Sequence, residues 1–213
     1  MTVIRTKNMA EAAFTISGGG VVIVATETFY CIAASPFNED AVRRIFSIKD
    51  RPLDKPLPLI SASVENVRKV IADESIDALE LATEFWPGSF TILLKLTIPF
   101  SGCLRDGQGR VGVRTPTACP ASLLAEMSGI GWITATSANL SGGPNAAIID
   151  DIPEPVIKSV DCVVDTGPTP GGLPSTVMAL EAGQPVIYRP GAVSLDSIIL
   201  KMKRRTINRL DMQ

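Results

Sequence analysis

Gly18-Gly19-Gly20-Val21-Val22-Ile23-Val24-Ala25-Thr26-Glu27-Thr28-Phe29-Tyr30 is the stretch on which the fold turns. The glycines supply the φ > 0 positions that close a helix. Upstream, Met9, Ala13 and Ile16 share one face of a helix predicted over 9–17. The unbroken apolar run Val21–Ala25 then reads as a strand buried on both faces. A glycine-closed helix followed by a doubly buried strand opens an α/β protein.

Downstream the alternation continues. Asn38 caps a helix over Glu39–Ile48, with Val42, Ile45 and Phe46 facing inward. Leu57–Ile60 is a short strand, and Ser63 caps a helix through Ile71. A helix over Asp77–Phe85 stops at Trp86-Pro87-Gly88, and Phe90–Leu96 and Val111–Arg114 are strands. Pro120 opens a helix over Ala121–Met127, and the strand Trp132–Ala135 runs into Thr136-Ser137-Ala138-Asn139. Val160–Asp165, Thr176–Leu180 and Val186–Arg189 are further strands, and Ser194 caps a last helix from Leu195 to about Arg205. The chain reads as one domain over 1–213, its core about 9–195, with a C-terminal helix and basic tail over 195–213.

Composition narrows the chemistry. Of 213 residues, 46% are apolar and 20% charged, which suits a globular domain. No apolar run reaches membrane-spanning length and no secretory leader is visible, so the expectation is no membrane and a cytoplasmic location. Twenty basic residues against 22 acidic ones leave −2, so any polyanion site is local. There is no histidine, which removes a Ser-His-Asp triad and a histidine base. Cys31, Cys103, Cys119 and Cys162 lie far apart, as reduced buried thiols rather than metal ligands.

Five constellations carry candidate chemistry. Lys49-Asp50-Arg51-Pro52 follows a helix, and a Lys-x-Arg pair whose side chains point the same way makes a two-cation clamp for phosphate or carboxylate, with Lys55 adding charge. The alternative is that these cations only complement the helix dipole. Thr134–Gly143 ends a strand in hydroxyls, an amide and glycines, as ligand sites at α/β strand ends do; the alternative is a polar turn capped by Ser137 or Asn139. Arg114-Thr115-Pro116 and Arg189-Pro190-Gly191 each end a strand in an arginine. If those ends are neighbours, the cations gather in one groove suited to a triphosphate. Thr26–Tyr30 offers hydroxyls and a carboxylate for a small polar substrate or is a plain strand exit, and Gly171–Val177 is a closing loop or a connection. No P-loop and no Rossmann glycine motif is present.

The order of these motifs resembles the YrdC/TsaC family: Thr-Glu-Thr-Phe-Tyr at 26–30, Lys-x-Arg-Pro at 49–52, Trp-Pro-Gly at 86–88, Val-x-Val-Arg at 111–114, Ser-Ala-Asn-x-Ser-Gly at 137–142, Ser-Thr-Val at 175–177 and Arg-Pro-Gly at 189–191. The resemblance covers about residues 9–195. It implies a twisted open mixed sheet with flanking helices and a concave cationic cavity. It implies L-threonylcarbamoyladenylate synthesis from ATP, L-threonine and bicarbonate, with Mg²⁺ carried by ATP, and a TsaD-type tRNA threonylcarbamoyltransferase as product acceptor. Carried over, Lys49, Arg51, Ser137, Asn139 and Arg189 form the ATP set, with Lys49 and Arg51 catalytic. Thr26, Lys55, Arg114 and Ser175 form the threonine set. The chain looks like the short form without an extra C-terminal domain. It departs from the family at Ala25, where proline is usual, at Cys31, where glycine is common, and at Lys55, where some relatives carry histidine or asparagine.

Three other readings compete. A carbamoyl-handling domain of hydrogenase maturation would bring zinc-binding Cys-x-x-Cys repeats, absent here. A double-stranded RNA or tRNA binder would use the same cations, and contact with tRNA is compatible with the synthase too. A diverged non-synthase paralogue tends to lose Lys-x-Arg or Ser-x-Asn, and this chain keeps both.

Overall fold

The computed structural model describes residues 3–211. From the N-terminus, the elements are β1 (Ile4–Thr6), α1 (Met9–Ser17), β2 (Val22–Ala25), β3 (Tyr30–Ala33), α2 (Glu39–Ile48), β4 (Leu59–Ser61), α3 (Val64–Arg68), α4 (Ile76–Ala82) and β5 (Phe90–Leu94). They continue with β6 (Val111–Arg114), α5 (Pro120–Met127), β7 (Trp132–Thr134), β8 (Thr136–Ser137), α6 (Glu154–Lys158), β9 (Cys162–Val164), β10 (Thr176–Glu181), β11 (Gln184–Arg189) and α7 (Leu195–Asp211).

The strands form two mixed sheets, ordered β1-β9-β2-β3-β8 and β11-β10-β5-β6-β4-β7. The mixed α/β class expected from the sequence holds, but the single sheet is divided in two. The division falls at Ala135. On one side β7 pairs antiparallel with β4; on the other β8 pairs antiparallel with β3. The chain thus leaves one sheet and enters the other within a few residues. Thr134 stitches the seam, its amide donating to Ala34 O and its hydroxyl accepting from Ala34 N, both at 2.9 Å.

β2 is buried on both faces because each face has its own core. Val22 and Val24 pack with Ala12, Ala13 and Ile16 of α1 and with Ala121, Leu124 and Ala125 of α5. Ile23 and Ala25 point into the larger core around Tyr30, Ile32, Phe90 and Ile92. α2 begins as read: Asn38 Oδ1 accepts from Ala41 N at 2.9 Å, and Val42, Ile45 and Phe46 are buried.

Several elements escaped the sequence reading. β3 is fully buried yet directly follows the polar turn 26–29, so Tyr-Cys-Ile-Ala lacks a pattern of its own. β1 and β8 are too short to show a period, and α6 spans five residues. α7 runs on to Asp211, beyond the expected end near Arg205. Among the described residues no helix is long and apolar enough to cross a membrane.

Candidate functional site

The seam between the sheets opens into a cleft of about 130 Å³. The β2–β3 turn and β3 contribute Thr26, Thr28, Phe29, Tyr30 and Cys31; β4 and its approach contribute Pro58, Leu59 and Ile60. Strand ends add Thr91, Arg114, Ala135–Ser137, Ser175 and Arg189, with Arg51, Asn145 and Pro174 on loops. Three guanidiniums and a ring of hydroxyls face this space, and none of its lining residues is a carboxylate.

Local chemistry sets each side chain. Thr26 Oγ1 accepts from Thr28 N and Phe29 N, both at 3.1 Å, and donates to Phe29 O at 2.8 Å. That hydroxyl turn reverses the chain between β2 and β3, so Thr26 shapes the wall more than it offers a free donor. Arg114 ends β6 with its side chain 9% exposed, and its Nη1 donates to Glu27 Oε1 at 2.7 Å. Ser89 Oγ donates to the same oxygen at 3.0 Å.

On the far wall, Arg189 donates through Nη2 to Ser175 O at 2.8 Å and to Ser175 Oγ at 2.9 Å. Ser175 Oγ also meets Thr91 Oγ1 at 2.9 Å. Gly191 permits this geometry, because a Cβ there would collide with Pro174 O and press on Ser175. Desolvation and then the like charges of Arg114 and Arg51 hold Arg189 below the ordinary guanidinium range. Arg51, also lowered by desolvation, is anchored by Nε to Lys55 O at 2.7 Å. Burial pushes the Cys31 thiol up to about 12, so it lines the cleft as a neutral group.

Lys49 is placed differently from its expected role on the ligand. It is 1% exposed, and its Nζ donates to Ser137 O at 2.5 Å and to Asn139 O and Oδ1, both at 2.7 Å. It does not line the cleft. Burial, helped by the Arg51 charge, brings its pKa down to about 8. The reason is backbone: Asp50 sits at φ 49° just past α2. Its amide bonds Ser47 O, and the Arg51 amide bonds Phe46 O, the double closure that ends a helix through a left-handed residue. That reversal sends Lys49 inward and Arg51 to the cleft, so the two side chains do not point the same way.

Asn139 also turns inward. Its amide nitrogen donates to Gly143 O and Pro144 O at 2.6 and 3.0 Å, while Oδ1 accepts from Lys49 and from Ser137 Oγ. It closes the 139–144 turn, as the turn-capping alternative supposed. Ser137 remains on the cleft. Lys55 is exposed, lends only its carbonyl to Arg51, and is not among the lining residues. The structure therefore unites Arg51, Ser137, Arg189, Thr26, Arg114 and Ser175 around one space, and leaves Lys49, Asn139 and Lys55 off it. Thr91 and Asn145 lie outside every motif of the sequence. A threonine inside the otherwise apolar Phe90–Leu94 was the signal for Thr91.

Two mixed sheets meeting at a cleft lined by guanidiniums and hydroxyls define a mixed α/β protein with a cationic cleft. The chain belongs to the Sua5/YciO/YrdC family, whose model, described as telomere recombination, matches residues 15–191. It is 36% identical over 187 residues to the threonylcarbamoyl-AMP synthase of Pyrococcus abyssi, covering 88% of this chain and 55% of that one. It is 33% identical over 191 residues to the Bacillus subtilis enzyme of the same name, covering 89% and 55%. The chain thus spans about half the length of these curated relatives. The crystal structure of P. abyssi Sua5 complexed with L-threonine superposes with a TM-score of 0.84 at 33% identity, over 94% of this chain and 61% of that one. Escherichia coli YciO shares the fold, with a TM-score of 0.79 at 24% identity over 92% and 97%.

Proposed function

We propose that the protein condenses L-threonine, bicarbonate and ATP into threonylcarbamoyl-AMP and pyrophosphate. The observation that carries the reading is the cleft lining: three guanidiniums, a ring of hydroxyls and no carboxylate, in a chain of this family. Both the P. abyssi and B. subtilis relatives bear that enzyme name, and the P. abyssi structure was solved with L-threonine.

The chemistry needs no protein nucleophile. Threonine's neutral amine adds to the bicarbonate carbon, water leaves, and a carbamate results. A carbamate oxygen attacks the α-phosphorus as the α–β bridging bond breaks and pyrophosphate departs. Arg51 and Arg189 supply fixed positive charge for the phosphates, and Arg114 a planar fork for the amino-acid carboxylate. Thr91, Ser175 and Ser137 offer hydroxyls for polar groups. Pro58, Leu59, Ile60 and Phe29 exclude water, which protects a hydrolysable mixed anhydride.

A protein-built metal site does not fit this lining, since it offers no carboxylate and its guanidiniums repel a cation. Among the described residues there is no group of three or more His, Cys, Asp or Glu that could hold a metal ion. Mg²⁺ would therefore arrive bound to the triphosphate, where it neutralises phosphate charge. In this reading the product passes to a TsaD-type transferase acting on tRNA in the cytoplasm.

The test supplies ¹⁴C-bicarbonate, threonine and ATP and looks for label in an adenylate. Label and pyrophosphate should both require threonine and bicarbonate together. Pyrophosphate or phosphate release that persists with either omitted would make the protein a plain ATPase and defeat the proposal.

A further inference from the structure

We propose that Glu27 is a positioning residue that fixes Arg114 for the amino-acid substrate, acting through the ion pair. This rests on the synthase reading for the identity of the ligand; the geometry is independent of it.

Glu27 does not line the cleft; it stands behind Arg114, which does. The hydroxyl turn built by Thr26 pins its backbone. Its Oε1 accepts from Arg114 Nη1 at 2.7 Å and from Ser89 Oγ at 3.0 Å, with the two charged side chains 11% and 9% exposed. Among the described residues, Glu27 is the only hydrogen-bond partner of the Arg114 side chain. One Nη1–H is thus committed backward, and the remaining donors of the fork are left for a ligand.

Two further observations separate this pair from a stabilising ion pair. Glu27 Oε2 is buried with no hydrogen-bond partner, an arrangement that costs stability. Around the cleft, moreover, Arg114 shares space with Arg189 and Arg51, close enough for their like charges to depress Arg189. A four-bond side chain in such company is driven outward unless an opposite charge holds it. Glu27 is that charge.

The test compares Glu27→Gln and Glu27→Asp with wild type. Glutamine keeps an acceptor for Ser89 and removes the charge; aspartate keeps the charge at a shorter reach. Glu27→Gln should raise the KM for threonine at least tenfold, with the KM for ATP and kcat within about threefold, and Glu27→Asp should recover part of the loss. The Arg114 Nε–Hε resonance should be sharp in wild type and broadened in Glu27→Gln, with or without substrates. An unchanged threonine KM, or threonine and ATP KM values rising in parallel with a falling Tm, overturns the proposal in favour of a purely structural pair. Should wild type show no threonine-dependent turnover, the synthase reading fails on its own. The Arg114 resonance then decides: unchanged in Glu27→Gln, it overturns the positioning role as well.

Discussion

Arg110 and Arg114 bracket the same short strand, β6, and their side chains are equally hidden, 10% and 9% exposed. Arg110 spends itself on the protein. Its Nε meets Asp106 Oδ2 at 2.8 Å, Nη1 meets Glu181 Oε1 at 2.8 Å, and Nη2 donates to Tyr188 Oη at 2.9 Å. Desolvation opposes its charge, yet Glu181, Tyr188 and Asp106 hold it above the ordinary guanidinium range. Arg114 has one carboxylate and an open side. Equal burial with unequal saturation distinguishes a residue that binds the β10–β11 hairpin to the rest of the protein from one whose remaining donors stay open to the cleft. Lys49 sits beside the cleft but is saturated like Arg110, so by this criterion it belongs with the structural cations.

The strongest test of that grouping is Lys49→Met. Three buried acceptors lose their donor, and stability should fall by about 3 kcal/mol, seen as a Tm lowered by roughly 6–12 °C. The pH dependence has a definite sign. Folding lowers the Lys49 pKa from 10.5 to about 8, so between those values the unfolded chain holds more protons. Stability from Lys49 then rises with pH, and the gap between wild type and Lys49→Met should widen from pH 8 to 10. An unchanged Tm with a raised ATP KM would return Lys49 to the phosphate.

Arg114→Lys keeps the charge beside Glu27 and removes the planar fork. Threonine-dependent kcat/KM should drop on the order of 10²-fold, while the Tm moves little. Equivalent losses of activity and stability would erase the contrast with Arg110. The matching change, Arg110→Lys, gives up a three-way donor set and should cost about 2 kcal/mol, or roughly 4–8 °C in Tm. Activity per folded molecule should stay near wild type in that variant.

The smallest effect sharpens the structural end. Asp106 is desolvated, but the Arg110 backbone and side chain and the Gln108 amide hold it below the usual carboxylate range. Its stabilisation is present above the unfolded value near ~4 and is lost as pH falls through the lower folded value. Asp106→Asn should be about 1 kcal/mol less stable at pH 7, and acid denaturation curves of the two proteins should converge towards pH 2. Parallel curves would detach Asp106 from the cluster.

Much of this molecule was determined by its sequence alone. The doubly buried Val22–Ala25, the Asn38 cap and Pro120 at the start of α5 express short-range preferences of period, capping and φ, which neighbours in sequence set. The order of the Thr-Glu-Thr, Val-x-Val-Arg, Ser-Thr-Val and Arg-Pro-Gly segments likewise named the family and brought Arg114, Ser175 and Arg189 to attention. Tertiary structure alone decided the division into two sheets, which depends on β7 and β8 finding different partners. It alone decided that Lys49 and Asn139 satisfy each other, because one left-handed residue, Asp50, turns a Lys-x-Arg pair to opposite sides. Residue types fix which charges are present. Whether a charge is spent on the protein or left for a ligand depends on acceptors brought near by the fold, such as Ser137 O, about ninety residues away from Lys49 in the chain.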